Sequence, residues 1–489
     1  MRKLSFAAAC LLMAMNSANA AYVSPETALT AAKNFYALKT GSRDVDFKLS
    51  GSYKTEDGSK ATVYVFEREA GNGFVIMSAE DRIQPVLAYS TESRFFAGNG
   101  IASPEANYWV DLYSKQIDYT IANNLKEAPG ATSDWKNWLA GGPISVPTSV
   151  TAVTPMLTTL WDQMPYYNYL CPTGTPTGCV ATAMAQVMKF HNYPAQGTGQ
   201  RTYSSSQVGG TLSANFGATT YDWANMPGAL SGSSSTAQKT AIGTLMFHCG
   251  VAVEMNYTTS ASGAQVVQGT VSAKTAFLNH FGYKSSLRGY MREDFYSDYT
   301  WNKMLQFEIK TGRPVLYAGF GSSGGHAFIF DGFDEAEKYH VNWGWGGMSN
   351  GYFVVNNLNP SALGTGGGGG NFNYNQQVLV MIEPPSSTME TNPWKPTSTN
   401  TTAISDVDAS TKFLVYPNPA TSQVSSHAAK FAGKVTDYVI YNSFGQRMVV
   451  AKVASNEFNI NTATLGSGMY YIQLNTTEGI VTKPVSIVK

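Results

Sequence analysis

Apolar positions recur at helical spacing immediately after Gly178. Cys179 opens the run, Val180, Ala183, Met184, Val187 and Met188 form its stripe, and the pattern ends at Asn192-Tyr193-Pro194. That spacing predicts a largely buried helix whose first residue is a cysteine. Further along, the period shortens, and residues 314–320, 327–330 and 339–343 read as strands. Upstream, Ser24-Pro25-Glu26 and Ser103-Pro104-Glu105 each place an N-cap before a proline at the first helical position. Gly41 ends the first of these helices. The second carries Ala106, Trp109, Val110, Tyr113 and Ile117 on one face. Residues 61–67 and 74–78 predict a hairpin around Gly71-Asn72-Gly73. From Phe413 onward, short alternating strands predict a small β-sandwich. Two stretches read as linkers: residues 128–150, open and glycine-rich, and residues 384–412, dominated by Pro, Ser and Thr. Gly364 to Gly370 reads as a mobile loop.

The helix start gives Cys179 a chemical meaning. Helix N-termini carry unpaired N–H groups and partial positive charge, which favour a thiolate. The bland alternative is a buried structural cysteine. A catalytic thiol needs a base, and His326 follows Gly324-Gly325 at the head of a strand. Asn342, sixteen positions further on, offers an amide to hold the imidazole; Gln163, sixteen before Cys179, offers one for an oxyanion hole completed by the Cys179 N–H. Other residues read as structural. His340 belongs to a strand face, His191 favours the negative end of the Cys179 helix, His248 and Cys249 belong to a core, and Gln186 is a satisfied buried amide. Trp345 with Gly346-Gly347 forms a tight turn under the site. No residues show metal-ligand spacing. A Cys171–Cys179 disulfide would block the nucleophile and is disfavoured.

The order Gln163, Cys179, His326, Asn342-Trp343-Gly344 resembles papain-like cysteine proteases. Trp161-Asp162-Gln163, Gly178-Cys179-Val180-Ala181-Thr182-Ala183, Gly250 to Tyr257, Gly325-His326-Ala327-Phe328 and His340 to Gly347 resemble more closely the streptopain family of secreted bacterial cysteine proteases, which includes interpain-type enzymes. The resemblance spans residues 22–383. It implies Cys179 as nucleophile, His326 as base, Gln163 in the oxyanion hole, and Asn342 and Trp343 in support around the imidazole. It also implies an α+β, two-lobed papain-like fold, an inhibitory propeptide at residues 21–147, a protease domain at residues 148–383, no cofactor, and a preference for an apolar side chain two residues before the cut. Residues 413–489, with Tyr416-Pro417-Asn418-Pro419 and Gly468-Met469-Tyr470-Tyr471, resemble the sorting domain of type IX secretion. The expected activity is that of a secreted cysteine endopeptidase made as a zymogen, acting on proteins and peptides. The rivals are a Cys-His acyltransferase or transglutaminase, and an inactive surface adhesin. An independent binding module at the N-terminus and an adhesive sandwich at the C-terminus are the corresponding alternatives for the flanking segments.

Composition narrows the setting. The 489 residues are enough for several domains, formal net charge is zero, and charged residues make up 13%. No basic patch stands out, so nucleic acid is not an expected partner. Arg2-Lys3, an apolar stretch at residues 4–15 and Ala18-Asn19-Ala20 predict a signal peptide at residues 1–20. The apolar run before Cys10 is too short for a lipoprotein signal. No later run is long enough to span a membrane. Three cysteines remain after cleavage, an odd number that predicts a free thiol in an oxidising compartment. The chain is therefore expected outside the cell or on its surface, exported through the periplasm by the type IX machinery.

Overall fold

The computed structural model describes residues 22–489 except 43–44, 99, 142–149, 206, 296–297, 322–323, 356–375, 395–413, 418–419, 428–434, 443–446, 454 and 477–478. The expected signal peptide, the glycine loop at 364–370 and most of the 384–412 linker lie outside the described residues.

Helix α1 (Pro25–Thr40) begins and ends where the sequence directs. The Ser24 side chain accepts from the Thr27 N–H, and Gly41, at φ 72°, caps the far end. Strands β1 (Phe47–Lys54), β2 (Ala61–Arg68), β3 (Phe74–Ser78) and β4 (Val86–Ser90) form an antiparallel meander. Helix α2 (Pro104–Ala122) starts at its predicted Ser103 cap. β2 is buried on both faces because its alternate residues serve two cores. Tyr64 and Phe66 pack with α1, while Val63 and Val65 pack with α2.

Residues 131–140 correct the open-linker expectation. They form helix α3 (Ala131–Ala140), bracketed by Gly130 and Gly141 at positive φ. Trp135 donates its indole N–H to Ile83 O at 3.0 Å, and Trp138 lies edge-on to Phe35. The glycines cap a short helix whose two tryptophans bury it against α1; they do not open the chain.

The central unit has two lobes. The helical lobe contains α4 (Cys179–His191), the hairpin β5 (Gln200–Ser205) and β6 (Gly210–Asn215), α5 (Thr236–Ala252) and α6 (Ala273–Asn279). The sheet lobe contains β7 (Arg288–Met291), α7 (Asp298–Lys310), β8 (Val315–Gly321), β9 (Gly324–Phe333), β10 (Tyr339–Asn342), β11 (Gly351–Phe353) and β12 (Gln377–Val380). Residues alternate across its strands: Leu316, Ala318, Ala327 and Ile329 face the helical lobe, and Tyr317, Phe328 and Phe330 face α2 and α7.

The N-terminal unit does not stand apart as its composition suggests. β4 pairs with β11, Tyr89 opposite Tyr352 and Ala88 opposite Phe353, so one sheet of ten strands runs β1-β2-β3-β4-β11-β10-β9-β8-β12-β7. α2 shares a core with the sheet lobe, where Trp109 meets Phe328, Tyr317 and Trp343. At the other boundary, the first residues of the expected linker are anchored. Asn392 is buried and donates to Met304 O and to Glu308, whose carboxylate forms a fully buried ion pair with Arg313.

The C-terminal segment folds as expected. β13 (Leu414–Tyr416), β14 (Gln423–His427) and β17 (Glu457–Asn461) make one sheet. β15 (Val435–Asn442), β16 (Arg447–Lys452), β18 (Gly468–Thr476) and β19 (Gly479–Ile487) make the other. Val424, Ile440, Ile460, Ile472 and Val485 fill the space between them.

Candidate active site

α4 begins at Cys179 because Gly178 permits it. Gly178 has φ 88°, and a Cβ there would lie 2.6 Å from Met255 Sδ and 2.9 Å from Ser262 O. Only glycine turns the chain into the helix at that spot. No side chain caps the first turn, so its N–H groups remain directed at the site. Every residue from Cys179 to Met188 is buried, which fixes the helix against β9.

His326 stands on β9 opposite Gly319 of β8. Its ring lies 5.6 Å from that of Tyr108 on α2. Cys179 Sγ, a ring nitrogen of His326 and a carboxylate oxygen of Glu105 lie within 4.8 Å of one another. Glu105, in the first turn of α2, is 1% exposed. Its Oε1 is 3.4 Å from His326 Nδ1 and accepts from Gln163 Nε2 at 3.3 Å. Burial alone would depress the imidazolium, but hydrogen bonds donated by the ring to Cys179 and Glu105, with their charges, outweigh it and hold His326 up at about 10.

Gln163 is buried and well braced. Its N–H donates to Asp162 Oδ1 at 2.6 Å, and its carbonyl accepts from Thr177 N, two residues before the cysteine. The Asp162 carboxyl is pushed up to about 6 by burial. The turn expected beneath the site is present: Gly346 N donates to Trp161 O, and a Cβ on Gly347 would lie 3.0 Å from Leu160.

The structure thus brings Gln163, Cys179 and His326 together. It does not do the same for Asn342 and Trp343. Asn342 Nδ2 donates to Thr159 O at 2.8 Å, and its Oδ1 accepts from Gln186 Nε2 and Gly344 N. Among the described contacts it makes none to His326. Instead it ties β10 to α4 and to the segment leading to Gln163. Trp343, the next residue, is fully buried, with its ring 4.6 Å from Phe328, two positions beyond His326 on β9, and its indole N–H on Ser349 O. The ring beside the imidazole is Tyr108. Sequence reasoning missed Glu105, Tyr108 and Asp162. Only Asp162 left a signal, as the carboxylate preceding Gln163.

The remaining expectations divide. Gln186 is the satisfied buried amide expected, and Cys171, Cys179 and Cys249 are all free. His248 is buried against Tyr221, and burial pushes it down to about 4. His191 departs from its expected role at the helix dipole. Burial pushes it down to about 4 as well, so the neutral ring bonds Ile382 O and lends α4 no charge.

His340 is a buried strand residue that also joins the two units. Its Nδ1 is 2.6 Å from Asp331 and its Nε2 is 2.6 Å from Glu92 of the N-terminal unit. Burial would lower it, but Asp331 and then Glu92 prevail and hold it at about 9. A raised histidine stabilises the fold fully below its unfolded value of 6.5 and loses that contribution as pH rises through about 9. His340→Leu, placed in a Cys179→Ala chain to prevent self-cleavage, should cost about 3–5 kcal/mol near neutral pH by stranding Asp331. Denaturation midpoints should show that deficit shrinking as pH rises from about 6.5 to about 9. A deficit constant across the range would assign it to lost packing instead.

A central cavity of about 440 Å³ opens beside Cys179 and His326, lined also by Val180, Ala264, Val266 and Val271. No helix among the described residues is long and apolar enough to cross a membrane.

Comparison with known proteins finds three family matches along the chain. Residues 161–353 match the peptidase C10 family, residues 20–117 the Spi protease inhibitor, and residues 414–488 the secretion system C-terminal sorting domain. Streptopain of Streptococcus pyogenes is 36% identical over 374 residues, covering 73% of this chain and 90% of its own. The thiol protease/hemagglutinin PrtT of Porphyromonas gingivalis is 32% identical over 403 residues, covering 79% of this chain and 45% of its own. Among solved structures, a fragment of prointerpain A from Prevotella intermedia superposes with a TM-score of 0.55 at 30% identity, covering 69% of this chain and 98% of the fragment.

Proposed function

The chain belongs to the peptidase C10 family, a family of cysteine endopeptidases made as zymogens, and from that premise we propose which residues do the work. Cys179 is the nucleophile. Its thiolate attacks the scissile carbonyl, and the oxyanion forms between the Gln163 side-chain amide and the Cys179 N–H. His326 then protonates the leaving amine and afterwards takes a proton from the water that cleaves the thioester. Asn342 acts at one remove, holding α4 and the Gln163 segment in register through Gln186 and Thr159. Val180, Ala264, Val266 and Val271 give the cleft an apolar wall suited to an apolar side chain two residues before the cut.

The observation that carries this reading is the position of Glu105. Its Oε1 takes up the Gln163 Nε2 donor intended for a substrate oxyanion and lies 3.4 Å from His326 Nδ1. The N-terminal unit, residues 21–147, thereby acts as an intramolecular inhibitor that claims one oxyanion-hole donor and pins the base. Gln163→Ala in the matured enzyme should lower kcat by about 10²–10³-fold with little change in KM, since the amide binds charge that appears only in the transition state. Equal losses of substrate binding and turnover in steady-state kinetics would remove it from that role.

The C-terminal sorting domain implies a secreted or cell-surface protein. We assign residues 1–20 to passage across the inner membrane and residues 413–489 to recognition by the type IX machinery from the periplasm. A chain ending at residue 412 should retain protease activity yet stop in the periplasm. Normal amounts of that truncated protease in the medium would refute the sorting role.

A further inference from the structure

The contact that silences the site also assembles a set of metal ligands. A thiol, an imidazole nitrogen and a carboxylate oxygen converge within 4.8 Å, drawn from Cys179, His326 and Glu105. This is a three-residue S/N/O set of the kind that holds zinc, with the fourth position left to water. Tetrahedral bonds of about 2.0–2.3 Å place neighbouring ligand atoms about 3.3–3.7 Å apart. The His326 Nδ1 to Glu105 Oε1 distance is already 3.4 Å.

A second observation points to an occupant. Glu105 Oε2 is buried and has no hydrogen-bond partner among the described residues. A carboxylate oxygen so placed is costly unless a cation or a donor satisfies it. The adjoining cavity, lined by Cys179 and His326, gives a water access to the fourth position.

We propose that the zymogen binds one zinc ion between Cys179, His326 and Glu105, and that the ion locks the protease in its latent form. The charges balance, since one thiolate and one carboxylate neutralise the dication. The ion forms Zn–S, Zn–N and Zn–O bonds to a thiolate, a neutral imidazole and a carboxylate, and whatever protons those groups carried leave for solvent. Maturation removes Glu105 with the N-terminal unit, leaving two ligands and a much weaker site. Zinc therefore holds the precursor selectively and opposes its conversion. The binding itself does not depend on the catalytic reading of Cys179 and His326; only the effect on activity rests on it.

Cobalt(II) is the probe, because a cobalt–thiolate bond gives a near-ultraviolet charge-transfer band. The full-length chain would carry Gln163→Ala, which slows self-cleavage and keeps all three ligands. It should bind one equivalent, show the band, and release the cobalt to zinc. The band should persist in Cys171→Ser and vanish in Cys179→Ala. Glu105→Gln should weaken binding at least about tenfold, as should removal of residues 22–147 by maturation. Zinc should slow conversion of the otherwise unaltered precursor, and a chelator should restore it. No thiolate band, or equal affinity with and without the Glu105 carboxylate, would overturn the proposal. Peptide cleavage by the Cys179→Ala chain would overturn the catalytic reading instead, without touching the cobalt result.

Discussion

Replacing Cys179 with alanine should abolish peptide hydrolysis, a loss on the order of 10⁵-fold or more, and leave the protein folded. The site explains both halves. Among the described residues the Cys179 thiol is the nucleophile positioned against His326 beside the cleft. Cys171 and Cys249 cannot replace it: burial pushes the Cys171 thiol up to about 12 and raises Cys249 further. Alanine at the first position of α4 is compatible with a helix start, so stability should barely change. His326→Ala should cause a loss of comparable size, because the members of such a pair act as a unit. Both variants should accumulate as full-length precursor if maturation is autocatalytic. Steady-state assays with thermal unfolding separate lost chemistry from lost fold, and turnover near the parent level in Cys179→Ala would end this mechanism.

Trp109→Ala should cost the precursor about 3–5 kcal/mol, the usual cost of truncating a buried aromatic. Trp109 is 3% exposed and packs in one core with Phe328, Tyr317 and Trp343 of the sheet lobe. Its indole N–H reaches Val354 O at 3.1 Å, so a hydrogen bond across the two units disappears as well. At about 1.4 kcal/mol per decade, the hold of the N-terminal unit on the protease should fall by roughly two to four decades. Conversion to the mature form should accelerate, and the matured enzyme should be unchanged because it no longer contains residue 109. Denaturation of the Trp109→Ala chain, in a Cys179→Ala background, measures the stability term directly. An unaltered conversion rate together with unaltered stability would show that latency does not run through this core.

Local signals wrote much of this structure legibly. Gly178 marks the start of α4, the Ser-Pro-Glu signatures mark α1 and α2, and alternation marks β8 to β10, because caps and periodicity act over a few residues. The order Gln163, Cys179, His326 likewise survived folding as one site. Glu105 was illegible for a physical reason. In sequence it is an acidic residue in the first turn of a helix, which the helix dipole alone accounts for; its partner Gln163 is 58 residues away. The same long-range ignorance hid the β4–β11 pairing that merges two units into one sheet, and the Thr159 and Gln186 groups that claim Asn342. α3 was missed because Gly130 and Gly141 read as chain-opening residues, when their positive φ values close a helix at both ends. His191 was misjudged because burial against its neighbours overrides the dipole.

The central claim is that Cys179, armed by His326 once Glu105 withdraws, is the catalytic thiol. Peptide mapping by mass spectrometry after treatment with a peptidyl chloromethyl ketone tests it most directly. The matured enzyme should carry one adduct, on Cys179, with activity falling in proportion to its occupancy. The full-length precursor should react far more slowly at that residue, and Glu105→Gln should recover part of the rate. Full activity with Cys179 completely alkylated, or inactivation that tracks Cys171 or Cys249 instead, would contradict the account.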